Sequence, residues 1–130
     1  MKLILIEEMK KFKILVVDDE QGWRDLLSLE LSSKDCTVKA AANAAEALDL
    51  LRCESFDLVI TDVRMPGELD GIDLIQTYRR ENPAQKAIFI TGYAMEEKIE
   101  QALETNSVLC LKKPFENQKL LNAIQSLLAL

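Results

Sequence analysis

The sequence predicts an α/β protein, a single doubly wound domain built on a five-stranded parallel sheet. Three observations predict it. Five short apolar runs alternate with five segments of helical periodicity. No repeat, low-complexity tract or linker interrupts that alternation. The length, 130 residues, is that of about one domain with a full core. Strands that alternate with helices are joined by right-handed crossovers, which makes the strands parallel.

The first convincing strand is the β-branched run from Phe12 to Val17, ending in Asp18-Asp19-Glu20. Residues 1–11 precede it as an N-terminal extension without an assigned structure, and 12–130 form the domain. From 20 to about 34, the apolar positions Trp23, Leu26, Leu27 and Leu31 recur at helical spacing and read as a first helix. The stretch from Cys36 to Ala41 alternates weakly, as an edge strand does. Asn43 followed by Glu46 resembles a capping box opening a second helix through Leu51. Leu58, Val59 and Ile60 suit a strand buried on both faces; it stops at Asp62, before the turn at Met65-Pro66-Gly67. Ile72, Leu74, Ile75 and Tyr78 mark a third helix that ends near Asn82-Pro83. The fourth strand is 87–90, closed by Thr91-Gly92. A short fourth helix is read from Ile99, Ala102 and Leu103, and a fifth strand runs through 108–111 to Lys112-Lys113-Pro114-Phe115. Leu120, Leu121, Ile124, Leu127 and Leu128 stripe the last helix.

Composition removes several functions. A net charge of -6 argues against nucleic acid, whose phosphates demand a surplus of Lys and Arg. The absence of histidine removes the commonest general base and metal ligand, and this chain cannot itself donate a phosphohistidine. Three cysteines without a C-x-x-C pair read as reduced thiols, not as a zinc site or disulfide framework. The apolar run at 3–6 is too short for a signal-peptide core or a membrane span, so a cytoplasmic protein is expected.

Chemistry gathers beyond the carboxyl ends of parallel strands. The first strand brings Asp18 and Asp19 there, the third Asp62, the fourth Thr91 and the fifth Lys113. Three crowded carboxylates repel one another unless a hard cation lies among them, and oxygen-only ligands suit Mg2+. A nearby lysine and a threonine hydroxyl suit phosphate oxygens. The set fits transfer of a phosphoryl group onto Asp62 as nucleophile.

With Asp18-Asp19-Glu20, Asp62 within TDVRMPG, Asp70-Gly71, Thr91-Gly92 and Lys113-Pro114-Phe115 in this order, the chain resembles the receiver domain of bacterial two-component response regulators. The resemblance runs from about Lys11 to the C-terminus. It implies a flavodoxin-like fold with strand order 2-1-3-4-5, an order for which a relative serves as a standard example. It implies that Asp62 is the phospho-acceptor, charged from a phosphohistidine on a sensor histidine kinase or histidine phosphotransfer protein. Asp19 and Asp62 would ligate Mg2+ directly, Asp18 mostly through water, and Arg64 through its backbone carbonyl. Thr91 would be the switch hydroxyl, Lys113 a phosphate contact, and the Lys113-Pro114 bond cis. The output would be a changed face of fourth helix, fifth strand and fifth helix, roughly 95–130, meeting a downstream protein effector, with homodimerisation through the same face a further expectation. Cys110 departs from the pattern, standing where the family often carries Tyr or Phe. The loop from Met65 to Gly71 is one residue longer than the commoner form, and Arg64 and Tyr93 flank the site.

Other readings are weaker. A haloacid-dehalogenase-type phosphohydrolase needs a second aspartate two residues after the nucleophile, where this chain has Arg64. A pseudo-receiver kept for docking alone has no need of the full set Asp18, Asp19, Asp62, Thr91 and Lys113. A receiver that is one part of a larger multidomain regulator or hybrid kinase is the remaining alternative. No output domain is expected after the last helix, so the signal is expected to leave by protein contact, and the chain is expected to be a signalling switch, not an enzyme.

Overall fold

The computed structural model describes residues 12–34, 36–92 and 107–128. Its strands are β1 (Lys13–Val17), β2 (Thr37–Ala41), β3 (Leu58–Asp62), β4 (Ala87–Thr91) and β5 (Val108–Lys112). Its helices are α1 (Gln21–Ser32), α2 (Ala44–Cys53), α3 (Gly71–Glu81) and a C-terminal helix, Asn117–Leu128. The strands form one parallel sheet in the order β2-β1-β3-β4-β5, as the sequence predicts. The expected fourth helix, read from Ile99, Ala102 and Leu103, lies outside the described residues, as do Tyr93 and the extension 1–11.

Successive strand residues point to opposite faces, so each central strand must supply two cores. Leu15 and Val17, Val59, and Ala87 and Phe89 face α2 and α3. Ile14 and Val16, Leu58 and Ile60, and Ile88 and Ile90 face α1 and the C-terminal helix. Every one of these side chains is buried, and full burial of each large one is worth about 1.5–3 kcal/mol. The continuous apolar runs of β1, β3 and β4 are the sequence form of this two-sided burial.

Helix ends differ from expectation by small amounts with local causes. In α1 Leu27 and Leu31 are buried, but Leu26 is 52% exposed, so the inner stripe is narrower than four residues. At α2 the capping box is half formed. Asn43 Oδ1 accepts from the Glu46 N–H at 2.9 Å, while the Glu46 carboxylate takes the Ala42 N–H, one residue upstream, at 3.0 Å. The complete box opens α3. Asp70 Oδ1 accepts from the Asp73 N–H at 2.8 Å and Asp73 Oδ2 from the Asp70 N–H at 3.1 Å. Asp70→Ala should therefore cost about 1 kcal/mol and lower the melting temperature by a few degrees, whereas Asp70→Ser should recover most of the loss in a circular-dichroism melt.

Two loops finish the scaffold. Gly67 has φ 109° in the Pro66-Gly67 turn, a conformation few residues other than glycine adopt. The Lys113-Pro114 peptide is cis, as the resemblance implies.

Candidate functional site

Four strand ends converge on one edge of the sheet. β1 leaves the sheet at Val17, and the Asp18 N–H donates to the Ala41 carbonyl at 3.2 Å, holding the strand end against β2. The Asp18 carboxylate is then fixed on both oxygens. Oδ1 accepts from the Glu20 N–H at 2.9 Å and Oδ2 from Lys113 Nζ at 3.0 Å. Its own carbonyl takes Arg24 Nη1 at 2.7 Å, which ties the loop to the first turn of α1. Asp18 is buried, and Asp19 beside it is exposed.

Asp62 ends β3, beside Ile90 of β4. The Thr61 hydroxyl donates to the Asp62 carbonyl at 2.9 Å, and the Val63 N–H donates to the Ile90 carbonyl at 3.1 Å. With the backbone held on both sides, the Asp62 side chain has a fixed origin. Thr91 is buried at the end of β4, where its carbonyl accepts the Lys113 N–H at 2.7 Å. That bond sets Lys113 at the top of β5, and its Nζ reaches Asp62 Oδ2 at 3.6 Å.

One carboxylate oxygen from each of Asp18, Asp19 and Asp62 lies within 4.8 Å of the others. Asp19 and Asp62 border a cleft of about 460 Å³ lined also by Glu20, Arg64, Gly92 and Lys113. Burial pushes the Asp62 carboxyl up to about 6; Lys113 opposes the rise, and Asp18 and, less, Asp19 add to it. Lys113 and Arg64 do not balance the four acids gathered here, Asp18, Asp19, Glu20 and Asp62. Hard oxygen donors, no sulfur or imidazole among them, and an unbalanced negative charge make a donor set consistent with Mg2+.

Every sequence-predicted side chain thus reaches the same edge: Asp18, Asp19, Asp62, Thr91 and Lys113. Arg64 lines the cleft. Two features of the site have no counterpart in the sequence pattern. Lys113 rests on Asp18, forming the tighter of its two carboxylate contacts. Its Nζ also lies 4.5 Å from the ring centroid of Trp23. The single tryptophan at a helix start, near acids, was the only signal for that contact. Cys110 is half-buried in β5, packed against the α2/α3 side, and burial raises its thiol pKa.

A 2-1-3-4-5 parallel sheet with an acidic cluster and a lysine on its carboxyl edge is the layout of a receiver-type signalling domain. The sequence profile of the response regulator receiver domain matches residues 14–125, and the chain belongs to that family. Receiver domains are phospho-accepting signalling switches, not classical enzymes, and they interact with histidine kinases. The chain is 34% identical over 122 residues to the response regulator protein PilR of Pseudomonas aeruginosa, covering 94% of this chain and 27% of PilR. It thus spans about a quarter of that relative. It is 31% identical over 118 residues to sporulation initiation phosphotransferase F of Bacillus subtilis, covering 91% of this chain and 94% of that protein. Among solved structures it is similar to the response regulator TrrA of Thermotoga maritima in complex with Mg2+-BeF, with TM-score 0.81, 31% identity, and coverage of 90% and 99%. Among the described residues no helix is long and apolar enough to cross a membrane.

Proposed function

We propose that this protein is a phospho-accepting receiver, 12–130, in which Asp62 takes a phosphoryl group from a phosphohistidine on a sensor histidine kinase or histidine phosphotransfer protein. The observation that carries the reading is the convergence of Asp18, Asp19 and Asp62 within 4.8 Å, with Lys113 Nζ 3.6 Å from Asp62. An Asp62 oxygen attacks phosphorus, the P–O bond forms, the P–N bond breaks, and the imidazole nitrogen leaves with the electron pair and takes up a proton. The donor phosphohistidine lies outside these 130 residues, which contain no histidine.

Asp18, Asp19, Asp62 and the Arg64 carbonyl are the residues that would hold Mg2+. Bound there, the ion would neutralise phosphoryl oxygens and the crowded carboxylates. Lys113 supplies a compact positive charge within reach of Asp62 and takes one phosphoryl oxygen. Thr91, buried on the neighbouring strand end, supplies the hydroxyl that follows the phosphoryl group. The modification brings about -1.5 to -2 charge and three acceptor oxygens, enough to bias two pre-existing arrangements of the Thr91 and Lys113 ends. That bias is read by a protein partner through β5 and the C-terminal helix. The acetyl-phosphate test is direct: a hydrolysable mass gain on the intact chain when Mg2+ is present, and none with chelator. Equal labelling with and without divalent metal would defeat the proposal.

A further inference from the structure

Trp23 occupies the first turn of α1, and no other tryptophan is present in the chain. Its ring touches both residues that flank Pro114. Lys113 Nζ lies 4.5 Å from the ring centroid, and the Phe115 ring stands 5.6 Å away, tilted by 34°. The Lys113 ammonium therefore has three neighbours: Asp18 Oδ2 at 3.0 Å, Asp62 Oδ2 at 3.6 Å and the indole face.

We propose that Trp23 is a positioning residue for phosphoryl transfer: its indole face, braced by Phe115, holds the Lys113 ammonium where it reaches Asp62. The proposal rests on the phospho-acceptor reading above. A lysine side chain has four rotatable bonds and no preferred fork geometry, so its charge goes where its neighbours hold it. Two carboxylates alone would draw it down into the acid cluster. A π face attracts an ammonium without carrying a net charge, so it holds Lys113 without adding a fourth acid to repel an incoming phosphoryl group. The attraction is strongest for tryptophan and grows as the cation loses water; the Lys113 side chain is only 12% exposed. Phe115 packs on the same ring and ties the strand-five loop to the start of α1.

The test uses the full chain with acetyl phosphate and Mg2+. Trp23→Leu keeps apolar bulk and removes the π face; Trp23→Phe keeps a smaller one. Labelling should slow about 5–10-fold in the leucine variant and no more than about 2–3-fold in the phenylalanine variant. Because Trp23 is the sole indole fluorophore, a second measurement needs no phosphodonor: Lys113→Met should alter its emission. Leucine and parent labelling at one rate, phenylalanine as slow as leucine, or emission indifferent to Lys113→Met would each overturn the positioning role. A parent chain that takes no label defeats that role together with the phospho-acceptor reading; an emission change on Lys113→Met in that case traces the failure to the reading and not to the contact.

Discussion

Asp62→Asn should take no label from acetyl phosphate under conditions that label the parent fully, and in the absence of metal it should melt at a higher temperature. The first effect follows from chemistry, since a neutral amide is no nucleophile toward phosphorus. The second follows from the charge balance of the cleft. Burial, opposed by Lys113 and reinforced by Asp18 and Asp19, raises the Asp62 carboxyl from its ordinary value of 3.8 to about 6. Between those values the folded chain keeps a proton that the unfolded chain has lost, so stability falls as pH rises through the window. Above about pH 6 the ionised carboxylate opposes folding, and the amide removes that penalty. The amide also gives up the ionic contact with Lys113, so the net gain expected is about 1 kcal/mol, or a few degrees. Lys113 loses its looser partner at 3.6 Å and keeps Asp18 at 3.0 Å, so the substitution does not strand a buried cation. The advantage should shrink as pH falls from about 6 toward 3.8. Thermal melts across that range, beside intact-mass labelling, check both halves. A variant less stable than the parent above pH 7, or one that labels fully, would overturn this account.

The sheet and its edge were legible because they follow from the chain's own periodicity. Runs such as 14–17 and 58–60 are apolar at every position, and at that length between turn residues such a run suits a strand covered on both faces. Once five parallel strands are granted, Asp18, Asp19, Asp62, Thr91 and Lys113 must share an edge, whatever their separation in sequence. What stayed hidden depends on angles and distances that periodicity does not encode. Asp18 and Asp19 are chemically identical neighbours; only the β1 exit, fixed by the Ala41 carbonyl, decides that Asp18 turns inward. Leu26 continues the helical apolar spacing yet faces solvent, because the sheet covers a narrower arc of α1 than the spacing allows. Glu46 caps the N–H of Ala42 instead of Asn43 because its side chain is long enough to pass its nominal partner. The rest of Trp23 on Lys113 joins residues far apart in the chain and needed the fold first.

Gly71→Ala should be the most damaging single-methyl change in this part of the molecule. A Cβ at Gly71 would sit 1.9 Å from the Asp62 carbonyl oxygen, 2.9 Å from its carbonyl carbon and 3.0 Å from Thr61 Oγ1. The first two are backbone atoms, held by the β3 ladder and the Thr61 hydroxyl, and cannot rotate away. Either α3 or the end of β3 must move by on the order of 1 Å. Moving α3 breaks the 2.8 Å bond from the Gly71 N–H to the Val63 carbonyl and drags buried Ile72, Leu74 and Ile75 out of register. Overpacking against yielding side chains costs about 1–3 kcal/mol; against fixed backbone the upper end is expected, with a melting temperature lower by roughly 10 °C. Moving β3 instead shifts Asp62, and a nucleophile misplaced by about 1 Å loses on the order of 100-fold in rate. Labelling measured well below the variant's melting point separates the two: slow labelling marks a displaced Asp62, and normal labelling with low stability marks a displaced helix. Gly22→Ala, in α1 with nothing within 4 Å of the added carbon, should go the other way, gaining up to about 1 kcal/mol of helix propensity. If Gly71→Ala matched the parent in both stability and labelling, the close approach of α3 to the nucleophile's own carbonyl would have to be abandoned.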